Sequence, residues 1–228
     1  ALLEGLARRA DLSTADRVRA FAELGVVERD LGEPAAAERS LQRALSLWRD
    51  AADRERLDPY HAAQALYYLG ELARDAFMAA PLDPARDAPE ALARALESKA
   101  ELLLAAQGYY LRAVREGSPD WAVAAGYRVG ELYDELHARM TGASLPPGLD
   151  DEERAAYRAE LELGVRVLLV KAIGAYEQTL QWARQAGVEN AFVGRSQEAL
   201  ERMRRMLVEA GDAPAGGPPR AGAEPPSR

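Results

Sequence analysis

The 228-residue sequence contains no cysteine. Disulfides, zinc sites built on thiolates and thiol nucleophiles are therefore all excluded. Histidine is nearly absent too, with only His61 and His137, which leaves little for imidazole-based metal or acid–base chemistry. Lys99 and Lys171 are the only lysines among 29 basic residues, the rest being arginine; with the abundant alanine, this reads as the composition bias of a GC-rich bacterial genome. No apolar run approaches the roughly 18 residues needed to cross a membrane. The strongest, Val165 to Val170, is short and interrupted by Arg166, so no direct membrane insertion is expected. A surplus of positive charge is also missing. The net charge is −8, which argues against nucleic acid as a partner, because that binding depends on basic side chains neutralising phosphates. The chain opens on Ala1 in helix-forming sequence with no basic-then-apolar signal region, which suggests a piece of a longer protein.

The alternation of apolar and polar residues that marks half-buried strands is likewise lacking, while alanine, leucine, glutamate and arginine dominate. The expected fold class is all-α. Helix punctuation is dense. Ser13 caps a helix ending near Gly32, and Pro34 occupies a first-turn position. Asp58-Pro59 opens a segment that stops before Pro81. Asp87 with Glu90 has capping-box spacing and opens a segment ending at Gly117. Ser118-Pro119 opens the next, which ends at Thr141-Gly142. Asp150 with Glu153 repeats the capping spacing ahead of a helix ending at Gly187, and a last helix covers about Glu189 to Ala210. Residues 1–210 form the expected helical domain; 211–228, GDAPAGGPPRAGAEPPSR, reads as a disordered Pro/Gly-rich tail.

Helix pairs joined by short turns invite a search for internal repeats. In RAFAELGVVERDLGEPAAAERSLQRALSLW, a first helix carries Phe21, Leu24 and Gly25, a turn holds Gly32, and a second helix carries Ala37, Leu41 and Ala44. A second copy supplies Leu66, Leu69 and Gly70, then Ala106, Tyr110 and Ala113, separated by an insert of roughly 79–100. A third supplies Val129, Gly130 and Tyr133, then Ala172 and Tyr176, with Thr179 in place of the last alanine; its insert contains Leu145-Pro146-Pro147-Gly148. Small residues at such positions let two helices cross closely while a bulky one fills the space beside them. On these residues the chain resembles the tetratricopeptide repeat family. The resemblance implies a right-handed α-solenoid of antiparallel helix pairs, here with elongated, inserted helices, and Phe192, Leu200 and Met206 in a closing helix. Ordinary helical core without a repeat is the alternative. The Pro-Pro-Gly-Leu loop ahead of KAIGAYEQTL is also similar, in part, to tetratricopeptide proteins of bacterial cell envelopes that work in multi-protein assemblies, including gliding-motility machinery. That favours periplasm or cell envelope over cytoplasm.

In such a stack the first helices of successive pairs line a concave face. With Gly25, Gly70 and Gly130 as equivalent positions, that face offers Arg19 and Arg29, then Gln64, Tyr67, Glu71 and Arg74, then Tyr127, Glu131 and Asp134. Two tyrosines in register beside charges suit a protein or peptide ligand, and the drift from Arg19 and Arg29 to Glu131 and Asp134 would orient it. Alternatively, the tyrosines pack against the chain's own inserts. No nucleophile elbow, phosphate loop or dinucleotide fingerprint occurs. Asp134-x-x-His137 with Glu131 places potential metal ligands on one helical face, but no second such motif accompanies it. The expectation is a non-catalytic interaction scaffold without cofactor or metal, with self-association through the long inserted helices as the other reading.

Overall fold

The computed structural model describes residues 5, 9, 11–81, 89–142, 145 and 148–212, with side chains at all of these except 89–93 and 210–212. Among them are seven α-helices and no strand: α1 (Thr14–Asp30), α2 (Pro34–Arg49), α3 (Tyr60–Ala79), α4 (Pro89–Glu116), α5 (Pro119–Thr141), α6 (Asp151–Ala186) and α7 (Ala191–Asp212), with a single 3-10 turn at Arg54–Arg56. The chain is all-α.

Local chemistry accounts for the ends. Ser13 accepts a hydrogen bond from the Asp16 amide at 3.1 Å, satisfying a donor that α1 itself leaves free. Pro34 begins α2, where its missing amide costs nothing. The capping box at α6 is complete: Asp150 accepts from the Glu153 amide and Glu153 from the Asp150 amide, both at 2.9 Å. Gly187 ends that helix at φ 66°, a left-handed conformation that suits glycine. The Asp87–Glu90 capping spacing, the opening ten residues apart from Gly5 and Arg9, and the tail from 213 onward lie outside the described residues.

Each helix packs on the next, and α1 touches α3, α3 touches α5, and α5 touches α7. Three pairs repeat one contact. A Cβ added to Gly25 would stand 2.5 Å from Leu41 Cγ, and one on Gly70 would stand 2.6 Å from the Tyr110 ring; one on Gly130 would overlap Tyr176 in the same way. Glycine is required because the bulky side chain of the partner helix occupies the space a side chain would need. Ala37, Ala44, Ala106, Ala113 and Ala172 are fully buried around these contacts.

The described parts of the inserts are helix from Pro89 and from Asp151 onward, with Leu145 and residues 148–150 outside any helix. In the second pair the partner helix α4 has 28 residues, and in the third α6 has 36 against 23 in α5. At 1.5 Å per residue these last two are about 54 Å and about 35 Å long, so one end of α6 runs well past its partner. Residues 151–164 of α6 are exposed at every position but Tyr157 and Leu161, which are half-buried.

Two apolar clusters form the core. One joins α1, α2 and the start of α3 around Leu41, Trp48 and Leu69; the other runs from α3 to α7 around Tyr110, Tyr133, Tyr176 and Met203. Leu45, Tyr68 and Tyr109 touch both. Lys99 of α4 is buried and donates to the carbonyls of Phe77 at 2.8 Å and Ala80 at 2.7 Å, closing the C-terminus of α3, with its ammonium 4.6 Å from the Phe77 ring centre.

Candidate functional site

The face shared by α1, α3 and α5 carries a belt of alternating charge. Glu71 lies at its centre, 5% exposed. Its carboxylate accepts from the Tyr110 hydroxyl at 2.6 Å and from Arg128 at 2.9 and 3.1 Å. Arg128 also donates to the Tyr67 hydroxyl at 3.2 Å and to Glu131 at 2.7 Å. Glu131 in turn accepts from Tyr127 at 3.2 Å and pairs with Arg74 at 3.0 Å. On the other side Arg29 of α1 pairs with Asp75 at 3.0 Å and stands 3.9 Å from Glu71. Three helices are thus tied together by Arg29, Glu71, Arg128, Glu131 and Arg74.

Burial strengthens each of these interactions. Desolvation opposes the charge on Arg128, but Glu71, Tyr67 and Glu131 outweigh it and hold the guanidinium well above its ordinary pKa. Burial, and then Glu71, push the Tyr110 phenol far above its usual range, so it serves as a permanent donor. Tyr67 is pushed up to about 12, again first by burial and then by Glu71.

The belt rests on an aromatic layer. Tyr67 meets Tyr68, Tyr110 and Trp121 at ring-centre distances of 5.4, 5.7 and 5.1 Å, and Phe192 of α7 at 6.4 Å. Phe192 also stands 5.6 Å from Tyr127, so the first turn of α7 reaches both tyrosines.

The structure therefore redistributes the residues that the repeat register nominates for a groove. Arg29, Glu71, Arg74, Tyr127 and Glu131 come together in the belt. Tyr67, at 4% exposure, presents almost no surface: it is a core residue packed against Trp121, Tyr110 and Phe192. Gln64 is also buried, its carbonyl 2.9 Å from the His61 ring. Asp134 turns toward α7, where it pairs with Arg202. Arg19 stays exposed, apart from the belt, beside a cavity of about 120 Å³ whose lining includes Trp48, Asp58 and His61. The expected gradient from arginine to carboxylate is not free charge, since its members other than Arg19 are paired within the chain.

Sequence reasoning missed Arg128 and Trp121, and took Tyr110 only as a packing residue of the second repeat copy without its bond to Glu71. Arg128 sits two residues before Gly130, on the ridge that faces the preceding odd-numbered helix, as Tyr68 sits two before Gly70. Taking only the positions directed into the groove passed over the ridge that supports it. His137 is 6% exposed, and its buried Nδ1 has no hydrogen-bond partner. Among the described residues no three His, Asp or Glu side chains are grouped so as to hold a metal ion. No helix among them is long and apolar enough to cross a membrane.

Compared with known proteins, the chain matches no family model and no curated relative.

Proposed function

We infer that this chain is a non-catalytic interaction scaffold built as a tetratricopeptide-like right-handed solenoid, and that a peptide or helix of a partner protein lies across α1, α3 and α5. The observation that carries the reading is the contact repeated at Gly25–Leu41, Gly70–Tyr110 and Gly130–Tyr176, with α1, α3, α5 and α7 in successive contact. Arrays of that kind bury a core between like units and leave an extended face suited to recognition. The face that remains for a ligand is narrower than the repeat register suggests. Its half-exposed members are Arg29, Tyr68, Arg74, Tyr127, Arg128 and Glu131. Each is polar and held by its neighbours, so binding loses little side-chain entropy.

Affinity capture from fractionated source cells tests the proposal, with the wild-type chain beside an Arg74→Glu, Tyr127→Ala variant, at a temperature where circular dichroism shows both to be folded. A protein retained by the first and released by the second is the expected result. Equal retention would sink the groove. We place the partner in the periplasm or cell envelope on the partial resemblance above, and recovery from the cytoplasmic fraction alone would overturn that placement.

A further inference from the structure

The long helix α6 carries a stripe that nothing among the described residues covers. Ala156, Glu160, Leu163, Val167, Val170 and Gly174 follow one another at spacings of four, three, four, three and four, and all six are exposed. That spacing keeps side chains on one seam of a helix, the pattern by which two helices pair side by side. Its three large apolar members are 73%, 53% and 54% exposed at Leu163, Val167 and Val170. Within the same helix Val165, Leu169 and Ala172 are buried against α6's neighbours, so the stripe is a second apolar face on the opposite side of the helix from a satisfied one. Nothing lies within 4 Å of where a Cβ on Gly174 would stand.

We propose that this stripe is the interface of a homodimer in which α6 pairs antiparallel with α6 of a second copy. The occupant follows from the order of residues along the stripe. Its spacing reads the same in both directions about Val165. An antiparallel copy centred there sets Leu163 against Val167, Glu160 against Val170, and Ala156 against Gly174, each pair made twice. Charge is self-complementary in the same register. From Asp151 to Glu162 the helix carries five carboxylates and two arginines, whereas the stretch from Gly164 to Gly174 carries Arg166 and Lys171 and no acid. Antiparallel pairing brings Glu160 and Glu162 of one copy beside Lys171 and Arg166 of the other, while parallel pairing sets like on like. The peptide-binding face uses other helices, so the two proposals stand or fall separately.

Sedimentation velocity over a range from about 1 to 500 μM reads the association directly, a span that brackets the weak affinity of a small interface. The wild type is expected to shift from monomer to dimer within it, Val167→Glu to weaken the dimer at least tenfold, and the Glu160→Lys, Lys171→Glu double variant to recover much of what Glu160→Lys alone loses. Because the chain has no cysteine, register can be read as well. Leu163→Cys and Val167→Cys proteins mixed in equal amounts and oxidised should form the mixed 163–167 disulfide in preference to either symmetric one. A wild type that stays monomeric throughout, a dimer indifferent to Val167→Glu, or a preferred 163–163 link would overturn the proposal.

Discussion

The hydroxyl of Thr179 occupies the place where a Cβ on Gly126 would stand, the two residues facing each other across the α5–α6 crossing. The corresponding pairs elsewhere are Phe21 with Ala44 and Leu66 with Ala113, a large residue on the odd helix and a small one on its partner. In the third pair the sizes are exchanged. Thr179 departs from the repeat pattern, and Gly126 makes room for it; the hydroxyl is satisfied by the Ala175 carbonyl at 2.8 Å.

That exchange predicts a strong coupling. Gly126→Ala alone should destabilise, since overpacking costs about 1–3 kcal/mol and the gain in helix propensity returns only about 1 kcal/mol. In a Thr179→Ala background the same Gly126→Ala change should be neutral or stabilising. Urea denaturation of the four proteins should give a coupling of about 0.5–3 kcal/mol. Simple additivity would mean that the crossing relaxes freely.

The charged belt predicts an asymmetry between removing one partner and removing both. Arg128→Ala leaves the Glu71 carboxylate buried with only the Tyr110 hydroxyl and the more distant Arg29. The expected loss is about 3–5 kcal/mol, the usual cost of stranding a buried charge. Arg128→Met combined with Glu71→Leu should recover only part of it, because no charge is then stranded but the buried Tyr110 hydroxyl loses its acceptor. Equilibrium denaturation of the single and double variants distinguishes the cases.

Much of the helical layout is legible in the sequence because capping chemistry is local: Ser13, Pro34, the Asp150–Glu153 box and Gly187 each act within one turn. The glycine contacts are legible through the Leu-Gly and Val-Gly motifs that hold Gly25, Gly70 and Gly130, since a helical glycine alone is no sign of a close approach, as Gly174 shows. What lies between the helices is harder to see. Arg128 finds Glu71 57 positions away and Tyr67 61 positions away, and no local pattern encodes either distance. The repeat register makes Tyr67 solvent-facing because it occupies a groove position, but the sequence does not say that Trp121 and Phe192 arrive to cover it. The inserts look like interruptions in a repeat measured by motif spacing, whereas their described residues from Pro89 and from Asp151 onward lengthen α4 and α6.

A pH dependence is expected from His137. Burial lowers its pKa below 6.5, with Asp134 and Glu162 opposing the shift. A group of this kind binds its proton more readily in the unfolded chain, so stability should fall as pH drops through about 6.5 toward the depressed folded value. His137→Leu removes both the titration and the unpartnered Nδ1. Melting temperatures at pH 7.5 and 5.5 should converge in that variant relative to the wild type. An unchanged pH response would show that His137 does not carry the acid sensitivity.

The two tyrosines placed in register by the repeat should behave differently when truncated. Tyr67 is packed by the rings of Tyr68, Tyr110, Trp121 and Phe192 and accepts a hydrogen bond from Arg128, so Tyr67→Ala opens a cavity beneath the belt. The expected cost is about 3–5 kcal/mol, as for other large buried aromatics. Tyr127 is half-buried, and its hydroxyl has only Glu131 to lose. Tyr127→Ala should cost about 1–2 kcal/mol, the lower part of the range for side chains that keep some solvent contact. Tyr67→Phe separates packing from the hydrogen bond, because it retains the ring contacts with Trp121 and Tyr110 and removes only the acceptor for Arg128. Thermal melts followed by circular dichroism should rank the losses as Tyr67→Ala first, with Tyr67→Phe close to Tyr127→Ala. If Tyr67→Ala melts like the wild type, the aromatic layer is open to solvent, and Tyr67 regains its place as a candidate contact for the partner.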